Sequence, residues 1–131
     1  MELLGCLVPD HSPEGIRAGR HQVRTLASKL ITDDEALYNV GLLASEVLTN
    51  AYEHAEDPIS VLVIDTGTAV RVSVRDGGPK PPPVLEPELG AGNGRGDHGR
   101  GLELIRDLAS DCRVYDETSP ARTPVWFEVR Y

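Results

Sequence analysis

The chain has 131 residues, enough for one compact domain and too few for two independent cores. Its composition, 40% hydrophobic and 26% charged, is that of a folded soluble protein and not of a disordered one. A net charge of -8 argues against a phosphate-backbone binder, which needs clustered Lys and Arg, so no direct nucleic-acid partner is expected.

Residues 2 to 8 read as a short strand stopped by Pro9. Their apolar run is far too short to span a membrane and lacks the basic start of a signal peptide, so a cytoplasmic protein with no membrane partner is expected. Cys6 and Cys112 have no CxxC or Cys/His spacing around them and read as buried free thiols in a reducing compartment, with a disulfide between them left open.

Ser12 then Pro13 has the form of a helix cap and first position. Ile16, Gly19, Val23, Leu26, Ala27 and Leu30 follow at helical spacing and predict one buried face. Arg17, Arg20 and Arg24 form a basic strip elsewhere on that helix, read as a solvated face. "TDDE" at 32–35 predicts a capping box, with Thr32 as cap and Glu35 three residues on, opening a second helix to about Ala55. Leu37, Val40, Ala44, Val47, Leu48, Ala51 and Ala55 would share one side of it, and Asn39, Glu46, Asn50, Glu53 and His54 another.

Residues 59–76, "ISVLVIDTGTAVRVSVRD", are β-branched on both sides of "DTGT" and predict a hairpin. Val70, Val72 and Val74 alternate with Arg71, Ser73 and Arg75, so one face of the second strand is buried, and Asp76 stands at its end. Residues 77–98 are dense in Pro and Gly without periodicity, which suits a functional lid. "GRGLELIRDLAS" resumes helical spacing, and "DCRVYDE" and "TPVWFEVRY" predict a closing pair of strands joined around Ser119 and Pro120. The order β-α-α-β-β-lid-α-β-β predicts an α/β two-layer sandwich, a mostly antiparallel sheet with helices on one face.

Three polar features would meet in such a sandwich. On the second helix Asn50 offers magnesium a neutral oxygen, and Glu46 one turn earlier is placed to act as a general base, a merely solvated polar face being the competing reading of the stripe. Asp76 is also a natural turn residue before "GG". "GRGDHG" at 94–99 satisfies GxGxxG, but no strand precedes it, so a dinucleotide fingerprint fails on context. What remains is a glycine-rich entry to a helix N-terminus, where free N–H groups favour anions: Gly99 and Gly101 admit phosphate, and His98 or Arg100 adds charge. A plain linker with capping glycines is the competing reading.

"ASEVLTNAYEHA", "VRVSVRDGGPKP" and "GRGDHGRGLELIRDLA", in that order, resemble the N-box, first glycine box and second glycine box of the ATPases grouped with gyrase and the histidine kinases, the GHKL type. Together with "TPVWFEVRY" they are most similar to the bacterial anti-sigma-factor serine kinases, and the resemblance covers nearly the whole chain. It implies a Bergerat-type ATP-binding fold over residues 1–131, with an ATP lid at approximately 77–100. It also implies ATP and Mg²⁺ as cofactors, Glu46 as catalytic carboxylate, Asn50 as metal ligand, and Asp76 as acceptor for the adenine amino group. Gly78 would lie against adenine, and Gly99, Arg100 and Gly101 would line the phosphates. His54 falls at an N-box position near the nucleotide, with a local hydrogen bond as its other reading. The implied partners are an RNA polymerase sigma factor and an anti-sigma antagonist whose serine is phosphorylated; a homodimer is compatible with the same reading.

One residue departs from the pattern. Lys80 stands where the first glycine box usually has a second Gly, which favours the alternative of a catalytically inactive interaction module that acts by sequestering a partner. A histidine-kinase fragment is disfavoured because no helix pair bears a phosphoacceptor His.

Overall fold

The computed structural model describes residues 1–54, 58–75, 105, 107–113 and 125–131. Its elements are β1 (Glu2–Leu7), α1 (Pro13–Ala27), α2 (Asp34–His54), β2 (Ser60–Asp65), β3 (Ala69–Arg75), β4 (Asp111–Arg113) and β5 (Val125–Arg130). The strands form one sheet in the order β1-β2-β3-β5-β4, antiparallel at every pairing.

The alternation expected in β3 is present, and it is repeated by its neighbours. Val61 and Val63, Val70, Val72 and Val74, and Val125, Phe127 and Val129 are all buried in one core with residues of both helices. In β3 the registers Val72↔Phe127 and Val63↔Val72 bring the apolar rows of three strands side by side. The helices therefore cover one face, giving the two-layer α/β sandwich. Part of the expected third helix is also visible: Ala109 donates its N–H to the Ile105 carbonyl at 2.9 Å, and Ile105 is fully buried in the same core.

The opposite face meets water with a charged pair at its centre. Arg71 donates from Nε to Glu128 Oε2 at 2.7 Å across the β3–β5 register, and its guanidinium stacks 4.0 Å from the Trp126 ring centroid. Cys6 lies on this side, opposite Leu62, and is exposed, which corrects the expectation of a buried thiol. Cys112 is half-buried on β4, and both cysteines are free thiols on strands at opposite edges of the sheet.

The first helix begins as its sequence predicts. Ser12 Oγ accepts the Gly15 N–H at 3.0 Å, and Pro13 occupies the first position. Gly15 is required here because a Cβ would run into the Asp10 carbonyl oxygen.

The second helix starts differently. Asp33, not Thr32, is its cap: Asp33 Oδ2 accepts the Ala36 N–H at 2.9 Å while the Asp33 carbonyl accepts from Leu37 at 3.0 Å. Ala36 then holds the third position, so Glu35 falls one residue short of closing a capping box. Asp34 and Glu35 instead place negative charge in the first turn, where the helix dipole favours it.

The β2–β3 hairpin closes through a local network. Gly67 has a positive φ of 101°, which a side chain would strain. Its N–H reaches Asp65 Oδ1 at 2.8 Å, and the Tyr131 hydroxyl donates to the same oxygen at 2.8 Å. The Gly67 N–H first, and the Tyr131 hydroxyl second, hold the Asp65 carboxyl below the ordinary aspartate range. The same bond raises the Tyr131 hydroxyl. The turn between the last two strands, around Ser119 and Pro120, lies outside the described residues.

Two outcomes follow. Asp33→Ala should cost about 1 kcal/mol in urea unfolding and Thr32→Ala only a few tenths, about what loss of a side-chain cap costs; equal losses would restore Thr32 as the cap. Because folding lowers the Asp65 pKa, its contribution is present above the unfolded-state pKa and is lost as pH falls through the folded one. The gap in urea midpoint between wild type and Asp65→Asn should therefore be constant near neutrality and shrink on acidification. A gap independent of pH would show that Asp65 does not contribute as a carboxylate.

Candidate functional site

The site begins with how α2 divides its surface. Val40, Leu43, Ala44, Val47, Leu48 and Ala51 are buried, and the helix packs over β3 and β5. Leu43 was not among the positions expected on the core side, yet it is fully buried, so the apolar arc is wider than its sequence spacing implied. At 100° per residue Asn50 falls about 20° from Leu43 and about 40° from Glu46, on the border between core and polar stripe.

That border position explains its burial. Asn50 is 6% exposed and is the one polar side chain buried to this degree among the described residues. Glu46, one turn earlier, is half-buried, Asn39 is half-buried, and Glu53 is exposed. Glu46, Asn50 and Glu53 all have interaction partners. The stripe is thus graded and not uniformly wet: its middle is drawn into the protein and its end faces out. A buried amide that lacked partners would be costly, so its side chain is held in a defined orientation.

This donor set fits a hard cation. An amide and a carboxylate on one helix face, their backbones separated by about 6 Å of helix rise, are the oxygen-rich, low-denticity donors that magnesium takes from a protein when phosphate and water complete its shell. Among the described residues no group of three His, Cys, Asp or Glu side chains could hold a metal ion by itself. A nucleotide-bound magnesium does not need one.

One contact beside this stripe was not anticipated. His11, in the turn before α1, places Nε2 2.8 Å from the Tyr52 carbonyl oxygen, and its ring meets the Tyr52 ring edge-on at 4.4 Å. A carbonyl only accepts, so Nε2 carries the proton. Tyr52 lies in the last turn of α2, whose carbonyls have no partner within the helix. His11 therefore ties the end of the Asn50 helix to the start of α1. The two residues are 41 positions apart, and "HSP" gave no signal beyond a turn and a cap.

Helix α2 carries His54 at its last position, and β3 is described as far as Arg75. Asp76, Gly78, His98, Gly99, Arg100 and Gly101 lie outside the described residues, as does the expected lid at 77–100. The structure thus brings Glu46 and Asn50 together on one helix.

A family model described as a histidine kinase-like ATPase domain matches residues 10–129, almost the whole chain. The chain belongs to the histidine kinase-like ATPase family. Membership makes it an ATP-binding domain, and the α/β sandwich with its antiparallel sheet agrees. No curated protein matches the chain. No helix among the described residues of this histidine kinase-like ATPase domain is long and apolar enough to cross a membrane.

The His11 tie is tested by two substitutions. His11→Phe keeps a ring against Tyr52 and loses the hydrogen bond, at a cost of about 1 kcal/mol. His11→Ala loses both and should cost about 2 kcal/mol, the ring contact adding roughly another 1 kcal/mol. Urea unfolding measures both, and unchanged midpoints in both variants would remove His11 as a fastening for α2.

Proposed function

We propose that this ATPase-family domain is a cytoplasmic protein serine kinase acting as an anti-sigma regulatory factor. It binds ATP with magnesium, holds an RNA polymerase sigma factor and phosphorylates a serine of the anti-sigma antagonist. The observation that carries the reading is Asn50, a buried amide on the border of the α2 core with Glu46 one turn earlier, in a histidine kinase-like ATPase domain. Choice of partner is supported by the resemblance of "GRGDHGRGLELIRDLA" and "TPVWFEVRY" to the anti-sigma kinases.

In this reading Asn50 holds magnesium through its side-chain oxygen, and the ion, when bound, offsets charge on the phosphates. Asp76 accepts from the adenine amino group, with Gly78 leaving room for the ring. Gly99 and Gly101 present backbone N–H groups to the phosphates, and Arg100 adds a positive charge. His98 and His54 lie near the nucleotide. Glu46 accepts the proton of the substrate serine hydroxyl as its oxygen attacks the γ-phosphorus. The serine O–P bond forms, the bond from the γ-phosphorus to the bridging oxygen breaks, and ADP leaves with that electron pair.

Lys80 supports a second reading, an inactive module that keeps the fold and acts by partner sequestration. The two part in one set of measurements. Calorimetry should find magnesium-dependent ATP binding by the wild type that falls at least about tenfold, 1.4 kcal/mol, in Asn50→Ala and Asp76→Ala variants that remain folded. Glu46→Gln should bind ATP but transfer phosphate to the antagonist about 10²- to 10⁴-fold more slowly. ATP binding with no phosphoserine formed by the wild type would sink the kinase reading and leave the module. No binding at about millimolar ATP, where affinity is only about 4 kcal/mol, would sink the nucleotide-dependent mechanism.

A further inference from the structure

The core packing of α2 stops before the helix does. Ala51 is fully buried, but Tyr52 is half-buried and Glu53 is exposed, so the final turn runs past the apolar contacts that fix the rest of the helix. Asn50 stands where that turn begins, and in an α-helix its carbonyl accepts from the amide four residues on, at position 54. Fraying of the last turn therefore releases the Asn50 backbone on one side.

His11 acts at this place. Its Nε2–H reaches the Tyr52 carbonyl at 2.8 Å and its ring meets the Tyr52 ring at 4.4 Å, so the residue two positions past Asn50 is held through both backbone and side chain. The hold is stiff because the segment that carries His11 is stiff. Pro9 and Pro13 bound it and each fixes a backbone torsion. Across His11 the Asp10 carbonyl accepts the Ser12 N–H at 2.8 Å, and Ser12 in turn caps α1. Gly15 lies so near the Asp10 carbonyl that no Cβ would fit between them, which seats this segment on the first turn of α1.

We infer that His11 is a positioning residue for the nucleotide: by fixing the last turn of α2 it sets the angle at which Asn50 meets the magnesium ion of bound ATP. It acts through Tyr52 and does not touch the nucleotide. The inference rests on Asn50 as the metal ligand proposed above, and it adds to that site a residue 39 positions earlier in the chain, outside every motif the sequence offered. Magnesium demands near-ideal octahedral geometry at about 2.0–2.1 Å, so a small displacement of the amide weakens the metal-linked part of ATP binding and leaves the rest.

The test uses the full chain, first without nucleotide. Hydrogen exchange of the amides at 51–54 should be about tenfold faster in His11→Ala than in the wild type, with those at 40–47 unchanged. Calorimetry should then find ATP affinity about tenfold lower in His11→Ala when magnesium is present and unchanged when it is absent. His11→Gln, whose side-chain amide can donate to the same carbonyl, should recover most of the loss, and His11→Phe, which keeps only the ring contact, should not. In an Asn50→Ala background His11→Ala should add little, because both act through one ligand. The inference is overturned if His11→Ala, folded by circular dichroism, binds magnesium-ATP as the wild type does while Asn50→Ala does not. It is also overturned if the loss is equal without magnesium, or persists in full beside Asn50→Ala. Wild-type affinity for magnesium-ATP in Asn50→Ala itself would be a different result, one that removes the metal-ligand reading and the inference with it.

Discussion

The burial of one side of α2 against β3 and β5 is the constraint on which the candidate site depends. The sheet offers a nearly continuous valine surface, with Phe127 as its largest side chain, and α2 meets it with small and branched residues. Each such side chain contributes roughly 1.5–3 kcal/mol when fully buried, so the rotation of α2 about its own axis is fixed by several contacts at once. A rotation that exposed Asn50 would also lift Leu43 from the core. Position and orientation of the polar groups are therefore consequences of apolar packing.

Asn50 shows what this arrangement achieves. A polar side chain at the edge of a core loses water on one side and keeps access on the other, so its partners fix its rotamer at less cost than in the middle of the core. A metal or phosphate ligand needs this preorganisation, because a freely rotating amide would spend binding energy on its own ordering. The end of the same helix is steadied by His11, whose imidazole satisfies a carbonyl that the helix leaves open. The N-terminal turn and the last turn of α2 thus form one unit, although 41 residues separate them.

Much of this was legible in the sequence because it rests on short-range periodicity. The Val70, Val72, Val74 alternation and the Ser12–Pro13 helix start are local patterns, and both appear as read. Thr32 reads as the cap because its spacing to Glu35 has the form of a capping box, whereas the helix is capped one residue later by the Asp33 carboxylate alone, with no box. Leu43 was missed because an apolar arc drawn at ideal spacing leaves out its margins. Cys6 was expected inside because cysteine usually is, but strand β1 is an edge strand and its outward positions have nothing packed over them. The His11–Tyr52 contact was invisible because nothing local to either residue requires it. Glu46 and Asn50 share a helix, so their proximity was legible from spacing; their grading from half-buried to buried required the sheet.

The α1–α2 interface raises the same question in reverse. Helices that pack through apolar side chains normally leave their arginines at the rim, with the stem on the protein and the head in water. Arg24 does this only in part, since its Nε is enclosed against Gly41. An enclosed donor without an acceptor disfavours the folded state unless something compensates, and within the described residues nothing does. Replacing Arg24 with an aliphatic side chain would fill the same space without that penalty, so packing alone does not require a guanidinium here. The two-layer fold leaves this α1–α2 cleft on the helical side, away from the Arg71–Glu128 pair on the open face of the sheet.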